Sequence, residues 1–238
     1  MNQAWQARAY LVDLDGTLIS DRKLLPGAKR LLSLMEDRFV LVSNDAEHTP
    51  AQLSRLLARM GLAVDARRIL LAGTCALDLI ARERRHARVM LLGSAALRLY
   101  GERLGLEMVT GDPEVVLVAR DRRFTYDKLS LAANAVRKGA RLIAANPDLT
   151  HPGRGDAIVP ETGALLAAIL ACTGPVSHQI VGKPEPELFE RALWLLGVVP
   201  SEAVMIGDNP RTDGAGAHRL GMAYVAVEPG RPHVLLDA

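Results

Sequence analysis

The sequence predicts an α/β fold built on a parallel sheet that helices cover on both faces. Short apolar runs alternate with segments whose apolar residues recur at helical spacing, which is typical of strand–helix–strand units. Two of the runs, Phe39–Val42 and Ala203–Ile206, are apolar without interruption, as expected for strands buried on both faces. The 238 residues suffice for one large domain or two small ones, and patterning alone leaves that choice open.

The first part of the chain contains two strands and two helices in this scheme. Ala9–Val12 is a short apolar strand, and a helix is predicted over Pro26–Glu36 because proline suits a helix start. After the strand Phe39–Val42, a helix over Pro50–Met60 is expected to end at Gly61, since glycine readily adopts the backbone of a helix end.

The rest of the chain repeats this alternation. The further strands are Arg88–Leu92, Val115–Ala119, Arg141–Ala145, Gln179–Val181 and Ala203–Ile206. The further helices run through Tyr100, over Phe124–Lys138, over Glu161–Thr173, over Glu187–Leu196 and up to Leu220. Strands that alternate with helices in this way favour a parallel sheet.

Composition narrows the class of protein. Hydrophobic residues make up 49% and charged residues 24% of the chain, which excludes a disordered or collagen-like protein. The 29 basic and 27 acidic residues are interspersed, so nothing favours a nucleic acid or a membrane surface as partner. Two cysteines are too few for a disulfide scaffold, and the longest apolar stretch, near Gly163 to Cys172, is too short to span a bilayer. We therefore expect a cytoplasmic protein.

Four polar clusters each follow a predicted strand, at the end where ligands bind in an open α/β sheet. They are Asp13–Thr17, Ser43–Asp45, Gly182–Pro184 and Gly207–Gly214. Each has a plainer explanation when taken alone: an Asp-Gly turn, a strand-to-loop transition, a solvated lysine and a helix cap. Ordinary turn chemistry would scatter such groups over both ends of a sheet, so the combination predicts one site.

Carboxylates dominate the first and fourth clusters. Residues two apart on a strand share a face, so Asp13 and Asp15 can converge on one point. Carboxylates held together repel each other, and a shared proton or a bound cation relieves the repulsion. Asp208 and Asp213 add two more, with Gly207 allowing close approach of the backbone.

The second and third clusters offer groups that bind anions. The hydroxyl and backbone N–H groups of Ser43–Asp45 can cradle phosphate oxygens. Lys183 does not belong to a P-loop, because no glycine lies five positions before Gly182 and Pro184 stands where Ser or Thr is required.

In this order, the four clusters resemble the four motifs of the haloacid dehalogenase superfamily. The middle of the chain is similar to the branch of NagD and the 4-nitrophenylphosphatases, whose larger cap domain is inserted between the second and third motifs. The segments that carry this second resemblance are Asp121–Lys128, Ala145–Asp148, Thr162–Leu165 and Val181–Pro186. The resemblance implies a Rossmann-like hydrolase core of residues 1–71 and 176–238, with an inserted α/β cap of residues 72–175.

The resemblance also implies a phosphomonoesterase that works through an aspartyl-phosphate intermediate. Asp13 would be the nucleophile, and Asp15 would protonate the leaving alcohol and then accept a proton from the attacking water. Asp13, Asp208 and the backbone carbonyl of Asp15 would hold Mg²⁺. Asp213 would orient the water ligands of the ion.

Substrate contacts follow from the same resemblance. Ser43, the N–H of Asn44 and Lys183 would bind the transferring phosphoryl group. The cap would read the leaving group, and the candidate residues for that contact are Asp148, His151 and Arg154. A Pro/Gly-rich segment with polar residues is equally typical of an ordinary surface loop.

The implied substrate is a small phosphorylated metabolite: a nucleoside monophosphate, pyridoxal phosphate, a sugar phosphate or 4-nitrophenyl phosphate. A phosphomutase or phosphotransferase on the same fold, and a regulator that binds a phosphometabolite without catalysis, are the alternatives. The regulator would be expected to lack one of the proposed catalytic groups, and the chain has Asp13, Asp15, Lys183 and Asp208. The apolar stretch Leu165–Leu170 fits either the cap core or the face of a homodimer.

Two positions depart from the family pattern. Asp45 stands where the family often has Asn, which adds negative charge near the expected phosphate pocket. Gly214–Ala217 is smaller than the bulky helix start expected after Asp213. Both departures bear on substrate preference.

Overall fold

The computed structural model describes residues 7–153 and 157–228, and the chain divides into two compact units. The first unit comprises Met1–Ser43, Pro50–Leu70 and Lys183–Ala238. The second comprises Asn44–Thr49 and Leu71–Gly182. Each unit is built on its own five-stranded sheet, so the α/β fold that the sequence predicts is confirmed.

The first unit is built around a sheet of the order β14-β13-β1-β4-β5. The strands of this sheet are β1 (Ala9–Val12), β4 (Phe39–Ser43), β5 (Ile69–Leu71), β13 (Ala203–Gly207) and β14 (Ala223–Ala226). β2 (Ile19–Ser20) and β3 (Lys23–Leu24) form a separate antiparallel hairpin. The helices are α1 (Ala28–Met35), α2 (Pro50–Arg59), α7 (Pro186–Leu196) and α8 (Ala215–Arg219). β1 pairs in parallel with both β4 and β13, and all three strands are buried along their whole length.

The second unit has a fully parallel sheet of the order β12-β9-β8-β6-β7. Its strands are β6 (Arg88–Leu92), β7 (Glu107–Met108), β8 (Val115–Val118), β9 (Arg141–Ala144), β10 (Thr150–Pro152), β11 (Ile158–Pro160) and β12 (His178–Ile180). Its helices are α3 (Ala72–Glu83), α4 (Ala95–Arg103), α5 (Tyr126–Arg137) and α6 (Thr162–Thr173). β10 and β11 form a separate antiparallel hairpin.

Helix α6 supplies core to the second sheet. Leu166 and Ile169 are buried in one cluster with residues of β6, β8, β9 and α5, and Leu165 and Leu170 pack against that cluster. The stretch Leu165–Leu170 therefore serves the core of its own unit, which is the first of its two interpretations. The homodimer stays a prediction.

The parallel strands of the first sheet bring three of the polar clusters to one edge. Asp13 follows β1, Ser43 is the last residue of β4, and Asp208 follows β13. The remaining cluster, Gly182–Pro184, does not follow a strand of the first sheet, because β12 is hydrogen-bonded to β9 in the second sheet. The second unit consequently extends to Gly182, beyond residue 175 where the sequence analysis ends the cap. That cap and core have these roles stays a prediction.

None of the helices in the described ranges has the length and hydrophobicity that a membrane span requires.

Candidate active site

A buried lysine lies at the centre of a charged cluster in the first unit. The Nζ of Lys183 donates to Asp13 Oδ1 at 2.6 Å, to Asp213 Oδ1 at 2.7 Å and to the carbonyl oxygen of Val42 at 3.0 Å. These three acceptors match the three protons of an ammonium group. Burial by itself would lower the pKa of Lys183, but the two carboxylates outweigh it and raise the pKa above its ordinary value. The lysine is therefore charged.

Asp13 is held from two sides. Lys183 donates to its Oδ1, and the hydroxyl of Thr17 donates to its Oδ2 at 3.0 Å. Thr17 is buried within a tight turn in which the N–H groups of Leu18 and Ile19 both donate to the carbonyl of Leu14. Thr17 belongs to the first cluster, but its residue type and position in the sequence predict no role for it. Its hydrogen bond fixes the plane of the Asp13 carboxylate.

Three carboxylates converge beside Lys183. Asp13, Asp208 and Asp213 each offer an oxygen atom, and these atoms all lie within 4.8 Å of one another. Burial and the charge of Asp13 raise the pKa of Asp208 to about 6. Burial raises the pKa of Asp213 to about 7, with Lys183 opposing the shift and Asp13 adding to it. When all three are ionised, the carboxylates exceed the lysine by two charges, which a divalent cation would balance.

A glycine makes room for this cluster. Gly16 has φ +84°, a conformation that L side chains rarely adopt, and a Cβ there would lie 2.0 Å from Asp208 Oδ2. The glycine of the first motif is therefore needed for the approach of Asp208 to the turn after β1.

The two acids of the fourth cluster have different surroundings. Asp213 is fully buried, its Oδ1 accepts from Lys183, and its Oδ2 accepts from the N–H of Asn209 at 3.2 Å. A Cβ on Gly207 would lie 2.2 Å from Asp213 Oδ2. Asp213 is thus tied to the loop that carries Asp208, whereas the Asp208 carboxylate lies against Gly16.

The small residues after Asp213 accommodate two aromatic rings. A Cβ on Gly214 would lie 3.0 Å from the Tyr224 ring, and a Cβ on Gly216 would lie 2.3 Å from the Phe189 ring. The space left by the small residues Gly214–Ala217, where a bulky helix start is expected, is therefore filled by side chains from β14 and α7.

Asp15 is placed differently from Asp13. β1 ends at Val12, and Asp15 lies in the following turn, where it forms a β-bridge with Ile19. Its side chain is exposed, while that of Asp13 is buried. Both acids lie beyond the end of β1 at Val12, so the strand itself does not align them, and their convergence on one point stays a prediction. Asp15 is not a member of the three-carboxylate group in the described residues.

Ser43 is buried at the end of β4, one residue after Val42, whose carbonyl accepts from Lys183. It thus lies on the strand that contributes to the lysine site. Hydroxyl groups in this position are suited to a phosphate oxygen.

Asn44 opens a loop of the second unit. Its Nδ2 donates to Asp148 Oδ2 at 3.0 Å, and its carbonyl accepts from Asn146 Nδ2 at 2.6 Å. A Cβ on Gly182 would lie 2.6 Å from the Asn44 side-chain oxygen. Residues 44, 146, 148 and 182 therefore form one packed group, which brings the predicted residues Asn44 and Asp148 together.

The extra acid, Asp45, is neutralised within its own loop. Its carboxylate accepts from the N–H groups of Glu47 and His48 at 2.8 Å each and lies 2.7 Å from His48 Nδ1. Burial works against its charge, but the contacts with His48 outweigh that effect and lower the pKa of Asp45. Hydrogen bonding to Asp45 in turn raises the pKa of His48. The pair carries little net charge once His48 is protonated.

His151 belongs to an ionic network in the second unit. Its Nδ1 lies 2.5 Å from Glu161 Oε1, and Glu161 also lies 3.3 Å from Arg120 Nε. Arg120 pairs with Glu47 at 3.3 Å as well. Arg120 and Glu161 were missed from the sequence, although Arg120 directly follows the apolar run Val115–Ala119, which was a usable signal. Arg154 lies outside the described residues.

Comparisons with known proteins agree with this arrangement. The family model of haloacid dehalogenase-like hydrolases matches residues 10–107, and a second, HAD-hydrolase-like model matches residues 180–234. The dihydroxyacetone phosphatase of Corynebacterium glutamicum is 32% identical over 225 residues, which cover 93% of this chain and 81% of that protein.

Solved structures give the same result. NagD of E. coli is 30% identical with a TM-score of 0.85, over 94% of this chain and 88% of that one. The glycerol phosphate phosphatase of Mycobacterium tuberculosis, in complex with magnesium, is 29% identical with a TM-score of 0.86, over 94% of this chain and 68% of that one. The chain thus belongs to the haloacid dehalogenase-like hydrolases, within the NagD-like branch, and is a phosphatase.

Proposed function

We propose that this phosphatase is a Mg²⁺-dependent phosphomonoesterase that acts on small sugar or polyol phosphates through an aspartyl-phosphate intermediate. The observation that carries the proposal is the buried cluster around Lys183. It combines a nucleophile, Asp13, that is oriented by two donors with an excess of two negative charges on neighbouring carboxylates.

The donor set suits a hard divalent cation. Asp13, Asp208 and the backbone carbonyl of Asp15 would hold Mg²⁺, which prefers oxygen ligands. Both oxygens of Asp213 already accept hydrogen bonds, which favours a role in orienting the ion's water ligands. When bound, the ion would neutralise the charge that develops on the transferring phosphoryl group. A similar phosphatase contains magnesium in its crystal structure.

The residues of the chain would divide the reaction between them. An oxygen of Asp13 attacks phosphorus, and the bond to the alcohol breaks while Asp15 gives its proton to the leaving oxygen. Water then attacks the same phosphorus, Asp15 takes its proton, and Asp13 is released. The exposed position of Asp15 supports this role, because its carboxyl can exchange protons with solvent between the steps.

Fixed donors would hold the phosphoryl group during both steps. Lys183 supplies a permanent positive charge, and the hydroxyl of Ser43 with the N–H of Asn44 would bind the remaining oxygens. Most of the catalysis is then positioning and electrostatic stabilisation.

Substrate choice would come from the second unit, in the role of the cap. Asp148 and His151 present polar groups suited to hydroxyls, and Arg154 belongs to the same chain segment. The partners of Asp148 and His151 include the polar or charged residues Asn44, Asn146 and Glu161. Similar proteins are a dihydroxyacetone phosphatase and a glycerol phosphate phosphatase, which supports a small polyol phosphate as substrate.

Replacement of the nucleophile tests the mechanism. We expect Asp13→Asn to lower phosphate release by about 10³-fold or more, because an amide cannot form the intermediate. The assay compares dihydroxyacetone phosphate, glycerol phosphate, a sugar phosphate, a nucleoside monophosphate, pyridoxal phosphate and 4-nitrophenyl phosphate, each with and without Mg²⁺. Circular dichroism checks that the variant folds.

Asp127→Asn is the matched control, since Asp127 is an exposed residue of α5, and it should retain full activity. Near-full activity of Asp13→Asn would exclude Asp13 as the nucleophile. Absence of release from every compound by folded wild-type protein would favour the mutase or the regulator.

Removal of the central cation tests the electrostatics. Lys183→Met should cost about 3–5 kcal/mol of unfolding free energy at neutral pH, because it leaves buried carboxylates without their partner. Urea unfolding measures the cost, and Lys138→Met, at an exposed helix end, should change the free energy little. Adding Asp213→Asn to Lys183→Met should recover part of the loss. A cost below about 1 kcal/mol would contradict this account.

The pH dependence of stability tests the metal site. The folded pKa of Asp208, about 6, lies above its ordinary 3.8, so protonation favours the folded protein. In EDTA, this contribution is complete below pH 3.8 and disappears as the pH rises through about 6. At pH 8 in EDTA, Asp208→Asn should be more stable than wild type by about 1–2 kcal/mol, a value discounted for partial exposure.

Saturating Mg²⁺ should reverse that order, because only the wild-type carboxylate would bind the ion. Thermal unfolding at pH 5 and pH 8, with and without Mg²⁺, provides the comparison. Equal stabilisation of both proteins by Mg²⁺ would remove Asp208 from the metal site.

The cap residues are tested by comparing the kinetic constants of a variant for two substrates with different leaving groups. His151→Ala should raise KM for a polyol phosphate about three- to tenfold, the effect of one lost hydrogen bond, while kcat for 4-nitrophenyl phosphate stays unchanged. His178→Ala, at an exposed position of β12, is the control. An equal effect of His151→Ala on both substrates would argue against a leaving-group contact.

A further inference from the structure

Tyr224 reaches from the edge strand β14 to the residue before Asp208. Its hydroxyl donates to the carbonyl oxygen of Gly207 at 3.0 Å. The N–H of Val227 donates to the same oxygen at 2.9 Å. This carbonyl therefore satisfies two donors, one of them a side chain that no motif of the sequence includes.

The acceptor matters because of the peptide to which it belongs. The carbonyl of Gly207 and the nitrogen of Asp208 lie in one rigid peptide plane. Two hydrogen bonds to that carbonyl fix the rotation of the plane, and with it the direction in which the chain leaves β13 toward the Asp208 side chain. The space beside Gly207 is filled by Asp213, since a Cβ there would lie 2.2 Å from Asp213 Oδ2.

The ring of Tyr224 packs against the turn that contains Asp213. A π-helical turn, Pro210–Gly214, carries Asp213, and a Cβ on Gly214 would lie 3.0 Å from the Tyr224 ring. The His218 ring meets the tyrosine edge-on, with 6.2 Å between centroids. The phenol is thus packed on the turn while its hydroxyl bonds to the strand end.

The surroundings of this hydroxyl keep it protonated, so it stays a donor. Burial, followed by the charges of Asp213, Asp208 and Asp13, raises the pKa of Tyr224 to about 12. The proton that bonds to Gly207 is present at any pH where the protein would work.

We propose that Tyr224 is a positioning residue that sets the affinity of the site for its divalent cation, by holding the Gly207–Asp208 peptide against the turn that carries Asp213. This inference rests on the proposed role of Asp208 as a metal ligand. It concerns this chain's own pairing of a tyrosine with Gly214, where a bulky residue is expected.

Removal of the hydroxyl alone tests the inference. Tyr224→Phe retains the ring on Gly214, and it should weaken binding of Mn²⁺ to the metal-free protein about three- to tenfold, the effect of one neutral hydrogen bond. Electron paramagnetic resonance measures free Mn²⁺ in the titration. The concentration of Mg²⁺ needed for half-maximal phosphatase activity should rise by the same factor, while kcat at saturating Mg²⁺ stays unchanged.

Tyr126→Phe is the matched control, because Tyr126 is 84% exposed, and its Mn²⁺ affinity should equal that of wild type. A second variant, Gly214→Ala, displaces the ring without removing the hydroxyl and should also weaken Mn²⁺ binding. Unchanged Mn²⁺ affinity in Tyr224→Phe, whether or not thermal stability in EDTA falls, would overturn the inference.

Asp208→Asn separates this inference from the proposed function. If Asp208→Asn loses Mn²⁺ binding and Tyr224→Phe retains it fully, only the role of Tyr224 is wrong. If Asp208→Asn binds Mn²⁺ like wild type, the metal role of Asp208 is wrong and the inference is overturned with it.

Discussion

The ammonium group of Lys183 is the contact on which the rest of the site depends. It joins the acid after β1, the acid of the turn after β13 and a carbonyl of β4. Without a buried positive charge, two carboxylates this close would be driven to take up protons. With it, the Asp13 carboxyl group is oriented within the protein. The lysine therefore turns a repulsive arrangement of acids into an ordered one, and the strand ends keep their spacing around it.

The parts that the sequence could predict are those that follow from local pattern and sheet geometry. Phe39–Val42 and Ala203–Ile206 are apolar without interruption, so they had to be central parallel strands, and the residues after them had to share one edge. The position of Asp15 could not be predicted in this way, because it lies in a turn three residues beyond β1, and strand pattern does not determine the path of a turn. Helix α3 (Ala72–Glu83) was not predicted from the sequence either. Its first half is buried at every position from Ala72 to Leu77, so that half lacks the polar face by which an amphipathic helix is recognised in a sequence.

The route of Lys183 to the site also lay beyond local pattern. In the sequence, the strand before it looks like one more strand of a single parallel sheet, yet β12 is paired with β9 in the second sheet. Pairing over such separations depends on tertiary contacts that periodicity does not record. The two departures from the family pattern were likewise visible as residues but not as structures. Asp45 finds its counter-charge three residues away in His48, whereas the space at Gly214 is filled by Tyr224 from another element.

The glycines at the acidic cluster restrict how this protein can change over time. A single methyl group at Gly16 or Gly207 would overlap a carboxylate of Asp208 or Asp213, so no other amino acid fits either position while the acids stay in place. A single substitution at either glycine therefore disrupts the acidic cluster, so the site cannot be altered there one residue at a time. Variation must accumulate elsewhere, in residues that touch neither the acids nor the lysine. The glycines and the acids must therefore be retained together, and a change of substrate must come from residues outside this cluster.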